Sequence, residues 1–273
     1  TFSGNTANEA GGGMYNINSS PTVDNCTFTA NTANGGGGMY NVSSSPAVTN
    51  CAFSGNTANN SGGGMRNWSS SPAVTNCTFS GNTANNGGGM NNYNSSPAVT
   101  NCTFSGNTAN MLGGGMESYY NSSPTLANTI LWGNTAANDS SSADIYQNGS
   151  TLTLKNCVVG TYKLYGAVEN TSGLIQENPR LNGFDANLAA TNDPANVYIY
   201  KLGSGSPAID KGLDVGTHSG VTVPNKDQLG TGRPQGTGVD IGAFEAILCT
   251  VTYDKNGGDG DMTPDAAVVG VAF

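Results

Sequence analysis

Charge is what this chain has least of. Only 10% of its 273 residues are Asp, Glu, Lys or Arg, with 9 basic residues against 18 acidic ones and a single histidine. A net charge of −9 with no basic stripe argues against nucleic acid as a partner. No apolar run approaches the roughly 18 residues of a membrane-spanning helix, so no span is expected. The first 160 residues show no helical period, which excludes a helical bundle or helical repeat. Six cysteines are present, but no CxxC spacing or Cys/His pairing accompanies them, so neither a metal nor a cofactor is expected. His218 has no Ser or Cys nucleophile suggested by its surroundings and reads as a surface residue in a turn.

What is present is a repeat. Its core reads NCTFSGNTAN, then GGGM, a short polar stretch, and SSPAVT. Phe2, Phe28, Phe53, Phe79 and Phe104 recur at spacings of 26, 25, 26 and 25, and Leu131 fills the same slot 27 residues later. Val159 reads as a degenerate seventh member. A fixed period in this range marks a solenoid, whose units are too small to fold alone and stack on their neighbours. Short runs alternate at period 2 between Gly, Asn and Ser-Pro breaks, which predicts about three strands per coil.

Stacking turns like residues into ladders about 4.8 Å apart. Four ladders are expected to form a dry interior, headed by Phe2, Cys26, Met14 and Val23. The thiols Cys26, Cys51, Cys77 and Cys102 are expected free and packed as small apolar groups, because parallel in-register side chains suit a disulfide poorly. Cys157 extends that series, whereas Cys249 has no evident role. Asn5, Asn31, Asn56, Asn82, Asn107 and Asn134 predict an amide ladder at a corner, with Asn in left-handed geometry. The glycine triplets predict a sharp bend or a close approach of coils.

The F-S-G-N and G-G-G-M units resemble the repeats of polymorphic outer membrane proteins and related bacterial surface proteins. That resemblance implies an all-β fold, a right-handed parallel β-helix of 25–27 residues per coil. Further on, ENPRL (177–181), SPAIDKG (206–212), GRPQG (232–236) and VDIGAFE (239–245) occur in an order that resembles the choice-of-anchor Q domain. It implies a secreted or surface-anchored bacterial protein. Residues 249–262 resemble the start of an internalin-type B-repeat; a calcium nonapeptide is disfavoured because Met262 stands where aspartate is required. Three segments are therefore expected: repeats over 1–168, an irregular β-rich C-terminal cap over 169–247 that closes the solenoid end, and a truncated B-repeat over 248–273. The chain reads as a piece of a longer protein.

A glycosidase needs two carboxylates close together. Glu9, Asp24 and Glu117 fall at three different phases of the repeat, so no catalytic residues are assigned. Asp210, Asp227, Arg233, Asp240 and Glu245 form one charged cluster, expected to be structural. Outward Thr and Ser at residues 1, 3, 27, 29, 78, 80, 103 and 105 resemble an ice-binding array, but Ala52 interrupts it. The outward positions after GGGM vary instead. One phase holds Tyr15, Tyr40, Arg66, Asn91 and Glu117, and two residues on stand Ile17, Val42, Trp68, Tyr93 and Tyr119. Tyr40, Arg66, Trp68, Tyr93, Glu117 and Tyr119 are the candidate ligand-binding residues, for polysaccharides, host-surface glycans or other surface proteins. A non-catalytic adhesin-like role is expected, with a polysaccharide lyase or glycoside hydrolase as the alternative.

Overall fold

The computed structural model describes residues 1–148, 150–165, 168–181, 202, 205–218, 221–246, 248–251 and 265–268. Its N-terminal part is a β-solenoid of about six turns. Three seven-stranded parallel sheets run along it. The phenylalanine sheet stacks strands such as Thr27–Thr29, Ala52–Ser54 and Thr78–Ser80, ending at Val158–Val159. The methionine sheet runs from Met14–Ile17 to Tyr162–Tyr165, and the valine sheet from Thr22–Asp24 to Val168–Ser172. Val159 occupies the seventh place in the phenylalanine sheet, as its position predicts.

A fourth, five-stranded sheet was not expected. The TAN segments form it, from Thr32–Gly35 to Thr135–Ala136, with register shifts where coils differ in length. Each full coil thus has four strands rather than about three. The alanines Ala33, Ala58, Ala84 and Ala109 are buried there, an apolar period too small to stand out in the sequence. The expected boundary at residue 168 falls at the start of a paired strand, and the stack continues to a bridge between Ile175 and Val158.

Register is set by identity. Phe28 lies opposite Phe53, Met65 opposite Met90 and Val74 opposite Val99. Phe28, Phe53, Phe79 and Phe104 are fully buried, and consecutive rings stack at 4.4–4.7 Å between centroids. The thiols join this core as free cysteines. Cys51 Sγ donates to Thr49 O at 3.0 Å and accepts the Cys26 amide at 3.4 Å, so its weak polarity is satisfied locally.

The asparagine ladder forms as expected. Asn56 Nδ2 donates to Asn82 Oδ1 and to Phe28 O, both at 2.9 Å. The series ends on a carboxylate, with Asn134 Nδ2 2.7 Å from Asp144 Oδ1. Its members are not left-handed, however. The residue before each one is, at Gly4, Ala30, Gly55, Gly81, Gly106 and Gly133, while Asn25, Asn50, Asn76, Asn101, Asn128 and Asn156 turn another corner with positive φ. Sequence reasoning missed a second ladder, Asn16, Asn41, Asn67 and Asn92, buried inside the methionine sheet and bonded amide to amide at 2.9 Å. Its signal was the period of 2 itself, which points the second residue after each Met inward. In the glycine triplet, Gly36 has φ +63°, and a Cβ on Gly37 would lie 2.6 Å from Gly63 O of the next coil. Both expected reasons for glycine therefore apply within one triplet.

The C-terminal segment does not close the solenoid end over its described residues 205–246. It runs along the side of the stack, back toward the earlier coils. Asn156 Nδ2 donates to Lys211 O at 2.8 Å, and Asn128 both donates to Leu213 O and accepts from its amide at 2.6 Å. Ala243 N reaches Thr103 Oγ1, Asn76 Nδ2 reaches Lys226 O, and Gln228 Nε2 reaches Cys51 O. The physical reason is apolar surface. Ile130 and Val158 face outward from the phenylalanine sheet and are buried beneath Ala208, Ile241 and Ala246. Leu248–Val251 and Asp265–Val268 pair antiparallel; the rest of the expected B-repeat start, Met262 included, lies outside the described residues.

Candidate functional site

The outward face of the methionine sheet carries the predicted stripe. In-register pairing aligns Tyr15, Tyr40, Arg66, Asn91, Glu117, Tyr146 and Lys163 in one row. A second row holds Ile17, Val42, Trp68, Tyr93 and Tyr119. The rigid sheet thus holds side chains from separate coils at one strand spacing.

Arg66 lies between two rings. Its guanidinium carbon is 5.0 Å from the Tyr40 centroid and 5.3 Å from that of Trp68, within cation–π reach. A Cβ on Gly35 would lie 2.6 Å from Arg66 Nη1, so the guanidinium occupies the notch a larger residue would fill. Arg66 forms no ion pair among the described residues, and its Nε is buried without a hydrogen-bond partner.

Trp68 and Tyr93 rings are 4.3 Å apart, and Tyr93 meets Tyr119 edge-on at 5.0 Å. Tyr120 joins this stripe and was not read from the sequence. It stacks on Tyr93 at 5.0 Å with planes only 6° apart, and it is 57% exposed. Tyr120 has φ +50°, the conformation that Asn18, Ser43, Ser69 and Asn94 adopt where earlier coils leave this sheet. A bulky aromatic in left-handed geometry is an outlier. Its signal in the sequence was the tandem Tyr119-Tyr120 in a lengthened coil. Tyr146 and Lys163 were missed because their coils no longer carry GGGM.

Glu117 differs from the expected exposed acid. It is only 6% exposed and accepts a hydrogen bond from Asn91 Nδ2, itself fully buried. Burial pushes the Glu117 carboxyl up to about 8, against the opposing pull of Asn91 and Arg66. Beyond Tyr146, Lys163 is paired with Asp139 at 2.6 Å.

The other candidate cluster lies in the lateral segment. Arg233 Nη1 bonds Glu245 Oε2 at 2.8 Å with both side chains fully buried, and Nη2 bonds Gly242 O at 2.9 Å. Asp240 accepts the amides of Asp210 and Ala246, Asp210 accepts the amide of Gly238, and Asp227 accepts those of Leu229 and Thr231. These carboxylates face backbone amides rather than open space. Burial pushes Asp240 up to about 6, and burial with the Asp240 charge pushes Glu245 up to about 7. His218 ends the strand Gly216–His218 of a two-stranded hairpin rather than lying in a turn, and its Nε2 bonds Asp214 O at 2.7 Å. Thr78 and Thr103, part of the supposed ice-binding array, are buried, and Thr103 is taken up by Ala243. No three His, Cys, Asp or Glu converge as a metal site among the described residues. No helix among them is long and apolar enough to cross a membrane.

Residues 49–180 match the family model described as the right handed beta helix region. The solenoid is therefore a right-handed β-helix. The match covers the coils that hold Arg66, Trp68, Tyr93, Glu117, Tyr119 and Tyr120 of the stripe, while Tyr40 precedes it. No curated protein and no solved structure matches the chain.

Proposed function

We propose that this right-handed β-helix is a non-catalytic, adhesin-like glycan-binding protein, secreted or held at a bacterial cell surface. The observation that carries the reading is the aromatic face of Trp68, Tyr93, Tyr119 and Tyr120 around Arg66. Exposed aromatic rings stack on the apolar faces of sugars, and a rigid sheet holds them there without ordering cost. Tyr120 adds weight, because strained backbone that displays a side chain is a mark of functional sites. The surface location rests on the choice-of-anchor-Q-like motifs between 177 and 245. An array of polysaccharides and host glycans, probed with wild type and with Trp68→Ala/Tyr93→Ala, tests the reading. Binding is expected for wild type and not for the double variant. Binding that survives the double change moves the site elsewhere.

One observation favours the enzymatic alternative. Glu117 is a buried carboxyl held protonated at neutral pH beside the aromatic face, as a general acid would be. Cleavage of any arrayed glycan, lost in Glu117→Gln, would decide for a lyase or hydrolase.

A further inference from the structure

Arg66 is the sole cation among residues 1–130, in a chain of net charge −9. Surface arginines on such a protein are expected to pair with carboxylates. This one is held in the glycine notch at Gly35, between Tyr40 and Trp68, in the middle of the candidate glycan face. Its outward neighbours up the stack are Asn91, Glu117 and Tyr146. Nothing acidic is ion-paired with it among the described residues.

We propose that this face selects glycans bearing an anionic substituent, with Arg66 reading the anion and Glu117, two coils further up the same row, setting the local charge. The inference rests on the glycan-binding reading above and adds the ligand class to it. Guanidinium is suited to planar, charge-assisted recognition of carboxylate or sulfate. The flanking rings keep it oriented while a sugar packs against the exposed parts of Trp68 and Tyr120. Glu117 acts through Arg66 and is a positioning residue. The groups facing it are Arg66, Asn91, Tyr119 and Tyr146, with the Lys163–Asp139 pair one coil further on. Protonated, Glu117 leaves Arg66 as an unopposed positive charge. Ionised, it adds a negative charge close by and weakens the anion site. Bulk electrostatics works against the proposal, since an acidic protein repels polyanions, so preference for an acidic glycan has to come from a local site.

Calorimetric titration tests this with two matched probe pairs, polygalacturonate against its methyl ester and dextran sulfate against dextran. The pairs separate a carboxylate from a sulfate as the anion. At pH 6 the wild type is expected to prefer one charged probe by about tenfold or more, the size of one charge-assisted hydrogen bond. Arg66→Gln should remove that preference, so that charged and neutral probes bind with the same affinity. Gly35→Val, which fills the notch, should weaken the preference too, with circular dichroism confirming the fold. Raising the pH to 9 should shrink the preference in wild type but not in Glu117→Gln. Equal affinity for charged and neutral probes, or a preference that survives Arg66→Gln, overturns the inference while leaving glycan binding standing. Failure to bind either member of both pairs overturns the inference and counts against the glycan reading as well.

Discussion

At the scale of single residues, Glu117 and Tyr120 depart furthest from what the repeat dictates. The unfolded Glu117 titrates near 4.5, and the folded one near 8. The folded chain therefore holds a proton that the unfolded chain gives up first. Stability contributed by this group is present below about pH 4.5 and is lost as pH rises toward 8. Asp240 and Glu245, also raised, act in the same direction. Denaturant melts at pH 5 and pH 8 should show wild type losing a few kcal/mol more than Glu117→Gln over this interval. Parallel curves for the two proteins would mean that Glu117 is ionised in the folded state. Tyr120→Asn places at the corner a residue that tolerates positive φ, but removes a ring stacked on Tyr93. Relief of strain and loss of stacking are each about 1 kcal/mol, so stability should change little. Glycan affinity should fall. Stability and binding falling together would assign Tyr120 to packing. The thiols are simpler: alkylation of denatured, unreduced protein followed by mass spectrometry should find Cys26, Cys51, Cys77 and Cys102 all modified. Bridges between successive members would refute the structural thiol ladder.

At the scale of the coil, identity between successive units is the stabilising device. Phe79 has aromatic neighbours on both sides, at 4.7 and 4.4 Å, whereas Phe2 stacks on Phe28 alone and is partly exposed. Phe79→Ala should cost about 3–5 kcal/mol, and Phe2→Ala clearly less, measured by urea denaturation. Equal costs would contradict additive stacking of coils. This part of the molecule was open to sequence reasoning because each ladder repeats one residue type, so Phe, Cys, Met and Val announce the interior directly. The second asparagine ladder was harder to read, since Asn16, Asn41 and Asn67 look like surface residues until the alternation is followed inward. The alanine-lined fourth sheet was missed because Ala33 and Ala58 carry little hydrophobic signal. In the stripe, variation within a constant frame pointed to Arg66, Trp68, Tyr93 and Tyr119. Burial of Glu117 could not be read, because it depends on how Asn91 and the neighbouring coils pack over an outward position.

At the scale of the whole molecule, the lateral course of residues 205–246 changes what the C-terminal motifs are for. A segment closing the end would protect the last coil only. A segment bonded to Asn156, Asn128, Thr103, Asn76 and Cys51 ties successive coils together along one side. Ile130 was the legible clue, an isoleucine at a position occupied in the earlier coils by Thr or Ala, facing outward and needing cover. Holding that cover in shape falls to Arg233, which bonds Glu245 and the carbonyls of Asp240 and Gly242. Removing one partner of a buried pair leaves the other charge uncompensated, at a cost of about 3–5 kcal/mol. Arg233→Met should therefore loosen the lateral segment while the ladders beneath it persist. Hydrogen exchange followed by mass spectrometry should show faster exchange over 205–246 and at Asn76, Asn128 and Asn156. The amides of Met65, Met90 and Met116, on a different face of the stack, should keep their protection. Uniform loss of protection through the methionine sheet would mean that the segment and the solenoid fold as one cooperative unit, and that the coils do not stand without their side support.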